Sequence, residues 1–278
     1  MGPFTHKRFA MSYRALGTKC PFVNIMAHAA FKAAKNLLRD FGEVENLAIS
    51  RKGAKDFVSV ADQRAEKIIR QTLQKAFPDF GLLLEEGGHI EGAQDMTFVV
   101  DPLDGTLNFL NGLPHFCLSI GLLKKETPIA GVIFDPIRDE VFWASTGKGA
   151  FMNKRRLRVR GPSPQGLQIL GLSHTRSVAY EDKKTAALFT TRISGSAALD
   201  LAYVAAGRLD GFWGYGLAPW DIAAGLCLLT EARGLSKTLS SSPQKEGIAL
   251  DTHTKTHLLA ASPDFFPHLE KAYHAIRS

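Results

Sequence analysis

Asp101-Pro102-Leu103-Asp104-Gly105-Thr106 is the stretch of this sequence best suited to chemistry. It follows the apolar run Met96 to Val100, whose pattern predicts a buried strand. Asp101 and Asp104 then stand three positions apart at the strand end. Carboxylate oxygens are what a hard divalent cation binds. A phosphate binds free backbone N–H groups, which Gly105 and Thr106 offer if a helix or tight turn opens there. One short segment can therefore hold both a cation and the phosphate it polarises. Taken alone, the same residues are also good turn chemistry, because Pro fixes φ and Gly accepts positive φ.

Acids elsewhere in the chain favour the chemical reading. Leu82-Leu83-Leu84 runs into Glu85-Glu86-Gly87-Gly88, another strand ending in paired acids, and Trp220-Asp221 opens the apolar segment Ile222 to Leu229. Three acidic clusters, each at an element end, are an unusual arrangement for surface charge. The plainer alternative is solvated charge at loop tips.

These pieces carry a family resemblance. Glu85-Glu86, DPLDGTLNF at 101–109, GSAALDLAYVAAGRLDGF at 195–212 and PWDIAAG at 219–225 together resemble the inositol monophosphatase family of magnesium-dependent, lithium-sensitive phosphatases. The resemblance runs from about Val23 to the C-terminus. It implies a layered αβαβα sandwich of the inositol monophosphatase and fructose-bisphosphatase type, with two or three Mg²⁺ ions between the halves. It also implies roles, residue by residue. Asp101 bridges two ions; Glu85 and the Leu103 carbonyl complete the first site, and Asp104 and Asp221 the second. Glu85 and Thr106 activate a water, with Asp62 hydrogen-bonded to that threonine. Gly105, Thr106, Gly195, Ser196 and Ala197 meet the substrate, while Glu86 and Trp220 support the site.

The implied reaction is hydrolysis of small phosphate monoesters, inositol 1-phosphate first among them. Other branches open to the chain are fructose-1,6-bisphosphatase, 3′-phosphoadenosine phosphatase and histidinol-phosphatase. The substrate is then a small phosphorylated polyol or sugar, and the enzyme a cytoplasmic homodimer. A partner role in transcription or RNA maturation, with contact to nucleic acid or polymerase, is the alternative from a different functional class.

Periodicity supplies the elements that must position these residues. Ile25 to Phe41 and Ala61 to Phe77 have helical spacing, the first ending at Gly42 and the second before Pro78. Strand-like runs follow at Gly81–Leu84, Thr97–Val100, Phe116–Leu123, Ile129–Phe134 and Glu140–Ala144. Helices followed by a meander predict an α+β half. After Gly161-Pro162-Ser163-Pro164, strands near Leu167–Leu172, Leu209–Trp213 and Leu258–Ala261 alternate with helices at Ser196–Ala206, Trp220–Glu231 and Asp264–Ile276, an α/β pattern. The expected division is a basic extension over 1–22, an α+β metal-binding half over 23–160 and an α/β half over 161–278.

Charge is uneven. The chain has 278 residues and a formal charge of +7, and Met1 to Arg39 alone holds seven cations and no acid. The remainder is balanced, so the net charge says little about the body as a nucleic-acid binder. The first residues read as a flexible tail, a transit-like segment or an upstream start. Lys154-Arg155-Arg156-Leu157-Arg158-Val159-Arg160 reads either as a strand with one charged face or as a polyanion patch. Three cysteines, scattered and without metal spacing, suggest free thiols in a reducing compartment. No apolar run is long enough to cross a bilayer.

Individual positions carry further expectations. Asp62 has a second reading, as an acid at a helix N-terminus, and Lys52 or Lys55 as loop residues near the ions. Gly214 fills a slot where many inositol-active relatives carry an acid that reads substrate hydroxyls, so looser selectivity is expected. Arg233 replaces the first glycine of a usual pair, which changes the turn or brings a cation near the site. The segment 174–192 reads as short.

Overall fold

The computed structural model describes residues 16–47, 51–161, 168–173, 189–239, 250, 252 and 254–277, with side chains omitted for 45–47, 51–59 and 276–277. The N-terminal tail, the Lys52 and Lys55 side chains and residues 174–188 lie outside the described set.

Helix α1 covers Pro21–Leu47 and α2 covers Arg51–Ala76. Both are longer than periodicity predicts. Gly42 does not end α1: Val44 is buried and continues the apolar face of Leu37, and a helical glycine costs only about 1 kcal/mol. Residues 51–59 are helical rather than a loop, so Asp62 sits well inside α2 and the N-terminal-acid reading fails.

The first sheet contains β1 (Gly81–Leu84), β2 (Gly88–Ile90), β3 (Met96–Asp104), β4 (Cys117–Lys124), β5 (Thr127–Asp135), β6 (Glu140–Ser145), β7 (Gly149–Met152) and β8 (Arg155–Arg156), in the order β2-β1-β3-β4-β5-β6-β7-β8. Only β1 and β3 pair in parallel. Helix α3 (Thr106–Leu110) follows β3. The second sheet contains β9 (Ile169–Leu172), β10 (Thr190–Arg192), β11 (Gly211–Leu217), β12 (Leu235–Thr238) and β13 (Thr256–Ala261), in the order β10-β9-β11-β13-β12. Its helices are α4 (Ala197–Ala205), α5 (Pro219–Glu231) and α6 (Phe266–Arg277).

The layers run α1/α2, first sheet, α4/α5, second sheet, α6, which is the αβαβα sandwich. Helix α5 is apolar almost all round because both sheets cover it. It lies close to the first sheet over a paired glycine saddle, Gly121 opposite Gly131. A Cβ at Gly131 would stand 2.6 Å from Ala224 O, and one at Gly121 2.7 Å from Ala223 Cβ. No larger residue fits there without moving the helix.

The basic run is not the strand expected. Only Arg155–Arg156 pairs, as the sheet-edge strand β8. The following residues stay extended because Leu157 N–H donates to Ala150 O at 2.8 Å and Val159 N–H to Ala232 O at 3.1 Å.

Candidate active site

The acids meet where β1 and β3 end. These strands are parallel, so Glu85 after β1 lies beside Asp101 on β3, with Glu85 N–H donating to Val100 O at 3.2 Å. Residues three apart on a regular strand point to opposite faces. Here the pairing with β4 shifts between Asp101↔Ser119 and Asp104↔Cys117, so three steps on β3 match two on β4. That bulge at Pro102-Leu103 absorbs one residue and brings both carboxylates to the same side. Gly105 then turns the chain at φ 95, where a Cβ would lie 2.9 Å from His115 O. Only glycine accepts both the conformation and the contact.

Asp221 arrives from the other half. Pro219 is the first helical residue of α5, and Asp221 Oδ2 accepts from Ala218 N–H at 2.7 Å. Ala218 has no side-chain acceptor, so only the reciprocal half of a capping box forms. Trp220 packs into the apolar layer between the sheets, and its carbonyl accepts from Ser119 Oγ at 3.4 Å. Both contacts fix the helix end that carries Asp221.

Three of the carboxylates are held by protein donors, Asp221 by Ala218 N–H as above. Asp101 Oδ1 accepts from Leu103 N–H at 2.9 Å. Asp104 Oδ2 accepts from Ser196 Oγ at 2.5 Å and Ala198 N–H at 2.8 Å. Burial, then the charges of Glu85, Asp104 and Asp221, push Asp101 well above the ordinary carboxyl range. Burial and the field of Asp104 raise Asp221 to about 7. Burial also raises Glu85, although Asp101 faces it closely enough to share a proton. Glu85 Oε2 is buried with no hydrogen-bond partner.

An all-oxygen donor set with an orphaned buried carboxylate oxygen and mutually opposed charges fits a hard divalent cation. Glu85, Asp101, Asp104, Asp221 and the Leu103 carbonyl are the groups able to hold it. Among the described residues no three such side chains enclose an ion on their own. Mg²⁺ keeps several waters and needs no all-protein cage.

Several expectations change here. Thr106 Oγ donates to Leu103 O at 2.9 Å, while Asp62 Oδ1 is buried without a partner; the anticipated Asp62–Thr106 bond is absent. Burial, then Glu85, Glu86 and Glu66, raise Asp62 to about 8. Ser196 is buried, and its hydroxyl goes to Asp104 rather than into the cleft. The Ala197 and Ala198 N–H groups also turn to Asp104, so the α4 N-terminus serves a carboxylate of the other half. Glu86 is exposed, and its N–H donates to Glu66 Oε2 at 2.8 Å.

Glu66 escaped notice in the sequence. Its signal was the i,i+4 spacing from Asp62 on the face that carries Ala61, Ala65 and Ile69. Gly214 sits inside β11 opposite Leu258, and a Cβ there would lie 2.2 Å from Leu217 Cδ1. Leu217 covers the slot and would have to move for any side chain at 214. Arg233 keeps the left-handed turn at φ 67 but stands past the C-terminus of α5, the end opposite Asp221. It adds no cation to the site.

Known proteins resemble this chain in sequence and fold. The Inositol monophosphatase family profile matches residues 20–272. An inositol-1-monophosphatase of Mesorhizobium japonicum is 50% identical over 221 residues, 76% of this chain and 83% of that protein. A Nus factor SuhB of Xylella fastidiosa is 45% identical over 222 residues, 77% of this chain and 80% of that protein. The crystal structure of extragenic suppressor protein suhB from Bartonella henselae superposes with a TM-score of 0.77 at 40% identity, covering 92% of this chain and 100% of that one. With the family profile spanning nearly the whole chain, and the bulged Asp101–Asp104 strand and the Asp221 helix facing one cleft, the protein belongs to the inositol monophosphatase family.

Proposed function

We propose that this protein is a Mg²⁺-dependent phosphatase of small phosphate monoesters, with inositol 1-phosphate as the leading substrate. The observation that carries this reading is the convergence of four carboxylates, Glu85, Asp101, Asp104 and Asp221, all raised first by burial, with Asp101 raised further by the other three. Mg²⁺ bound there lowers the pKa of a water and neutralises phosphoryl charge. Glu85, with its orphaned oxygen, accepts the proton of the attacking water. Thr106, whose hydroxyl oxygen retains acceptor capacity while donating to Leu103 O, orients that water. The backbone at Gly105 and Gly195 faces the phosphate oxygens. Burial, then the charges of Asp104, Glu86 and Glu66, raise Glu85 and favour its taking a proton.

Asp101→Asn tests the reading. It removes one charge and keeps the Leu103 contact, so the fold should survive while turnover falls to background. Near-normal phosphate release by a folded Asp101→Asn protein, across inositol 1-phosphate, fructose 1,6-bisphosphate, 3′-phosphoadenosine phosphates and histidinol phosphate, would sink it. A Li⁺ titration at limiting and saturating Mg²⁺ belongs in the same panel, with inhibition expected.

No described helix is long and apolar enough to cross a membrane, and the free cysteines suit a reducing cytoplasmic setting. Leu107, 71% exposed, Leu113 and Ile193 flank the Asn108–Ser194 contact and form a surface suited to a homodimer. Size-exclusion with light scattering reads this directly.

A specific observation favours a second role, contact with nucleic acid. Lys154, Arg155, Arg156, Arg158 and Arg160 are all exposed, and the alternate residues Leu157 and Val159 face inward. Arg233 flanks the strip next to Ala232, which receives Val159 N–H. None of these cations forms an ion pair among the described residues. Alternate arginines on extended backbone stand about 6.6 Å apart, a spacing suited to successive phosphates. Single-stranded RNA should bind with a steep salt dependence that Arg158→Glu with Arg160→Glu removes. Equal binding by that variant would refute this role.

A further inference from the structure

Asp200 lies in the first turn of α4, 2% exposed, and contributes nothing to the ligand set. Its Oδ1 accepts from Ser194 Oγ at 2.8 Å, and its Oδ2 has no hydrogen-bond partner. Room for the carboxyl comes from Gly171 on β9, where a Cβ would stand 3.3 Å from Asp200 Cγ. Every other residue of α4 except Tyr203 is aliphatic, so Leu would suit this position and avoid the desolvation penalty of an unsatisfied polar atom.

What Asp200 holds is the turn before α4. Ser194 Oγ also lies 3.3 Å from Ser196 N, which donates to it, and 3.4 Å from Ser196 O. Ser194 O accepts from Asn108 Nδ2 at 2.9 Å, and the same amide donates to His115 O at 2.8 Å. Gly195, at φ 83, lies flat on the Asn108 amide, its ideal Cβ position only 2.9 Å from Asn108 Nδ2. Asn108 belongs to α3, directly after Asp104 and Gly105 on the first half, while Ser194 and Asp200 belong to the second. Cys117 Sγ on β4 also donates to Asp104 Oδ2, at 3.7 Å, but the two shorter donors, Ser196 Oγ and Ala198 N–H, follow Ser194 in this clamped turn.

Resting on the Mg²⁺ phosphatase reading above, we propose that Asp200 is a positioning residue: through Ser194 it clamps the Ser194–Ser196 turn onto Asn108, and so sets the donors that aim Asp104 at the cation. The orientation of a first-half ligand is then decided by a second-half carboxyl that never touches the ion. Groups that orient metal ligands typically alter metal affinity or activity ~10–100-fold when removed.

The test uses the full chain with Asp200→Leu, Ser194→Ala and Asp200→Asn. Mg²⁺ affinity is read by isothermal titration and by the Mg²⁺-induced shift in Tm, alongside kcat and KM for inositol 1-phosphate. Asp200→Leu and Ser194→Ala should weaken Mg²⁺ binding about tenfold and lower kcat at limiting Mg²⁺, with KM little changed. Asp200→Asn retains the Oδ1 acceptor for Ser194 and should stay within about twofold of the parent; that split from Asp200→Leu, which fills similar space without an acceptor, is what a purely space-filling role does not predict. Unchanged Mg²⁺ affinity in Ser194→Ala overturns the proposal, as does an equal loss in Asp200→Asn and Asp200→Leu. If Asp200→Leu does not fold, Ser194→Ala alone decides, since it deletes only a hydroxyl. If the parent protein itself neither binds nor responds to Mg²⁺, the phosphatase reading fails instead, which the parent titration reports separately.

Discussion

Replacing Asp62 by Asn should stabilise the metal-free protein, and by an amount that grows with pH. Asp62 is 4% exposed and its pKa is raised from 3.8 to about 8 by burial, Glu85, Glu86 and Glu66. In the unfolded chain it titrates near its ordinary value. Between those two pH values the folded state therefore holds a proton that the unfolded state has released. Stability contributed by the protonated form is present below the unfolded pKa and is lost as pH rises toward the folded one. At 1.36 kcal/mol per pH unit the ceiling is roughly 6 kcal/mol, and relaxation around the carboxylate reduces it to about 2–4 kcal/mol. Asparagine has nearly the same shape and does not titrate, so Asp62→Asn escapes this loss.

The assay is thermal unfolding of both proteins in chelator at pH 5 and pH 8. For a chain of this size each kcal/mol moves Tm by about 2–3 °C, so the variant should lead by roughly 5–10 °C at pH 8 and by much less at pH 5. Saturating Mg²⁺ at pH 8 should narrow the gap, because a cation relieves the same repulsion in the parent. A gap that is absent at pH 8, or equal at both pH values, would refute the reasoning and remove Asp62 from the coupled acid cluster.

Further outcomes follow from the seating of α5 and the turn after it. Gly131→Ala puts a methyl 2.6 Å from Ala224 O, so it should cost about 1–3 kcal/mol by overpacking and should also weaken Mg²⁺ binding, because the displaced helix carries Asp221. Urea unfolding and Mg²⁺ titration measure the two effects. Arg233→Gly relieves a left-handed backbone at φ 67 and should raise stability by about 1 kcal/mol without altering kcat, read by Tm and phosphate release together. Gly195→Ala, which meets Asn108 Nδ2 at 2.9 Å and a φ of 83, should lower both Tm and Mg²⁺ affinity, whereas Gly147→Ala, at φ 71 in open space, should lower Tm alone.

Residue chemistry and local pattern already carried much of this protein. The apolar run before Asp101, the acids at Glu85-Glu86 and the Trp220-Asp221 helix start were legible, because strand and helix periodicity and the donor preference of a hard cation are local properties. Helix ends were less so: Gly42 reads as a stop, but burial of Val44 carries α1 past it. The short strands β2, β8, β10 and β12 lack any periodic signal, since their pairing comes from neighbours distant in sequence. Spacing also could not tell which way the acids point. Asp101 and Asp104 share one face only because β4 imposes a bulge on β3. Ser196 turns to Asp104, and not to the cleft, because α4 delivers its N-terminus across the two halves. Gly214 is covered because Leu217 folds back over it. Which residues can do chemistry is written in their types and spacing. Which oxygen faces which partner is settled by packing between segments far apart in the chain, and that required the folded molecule.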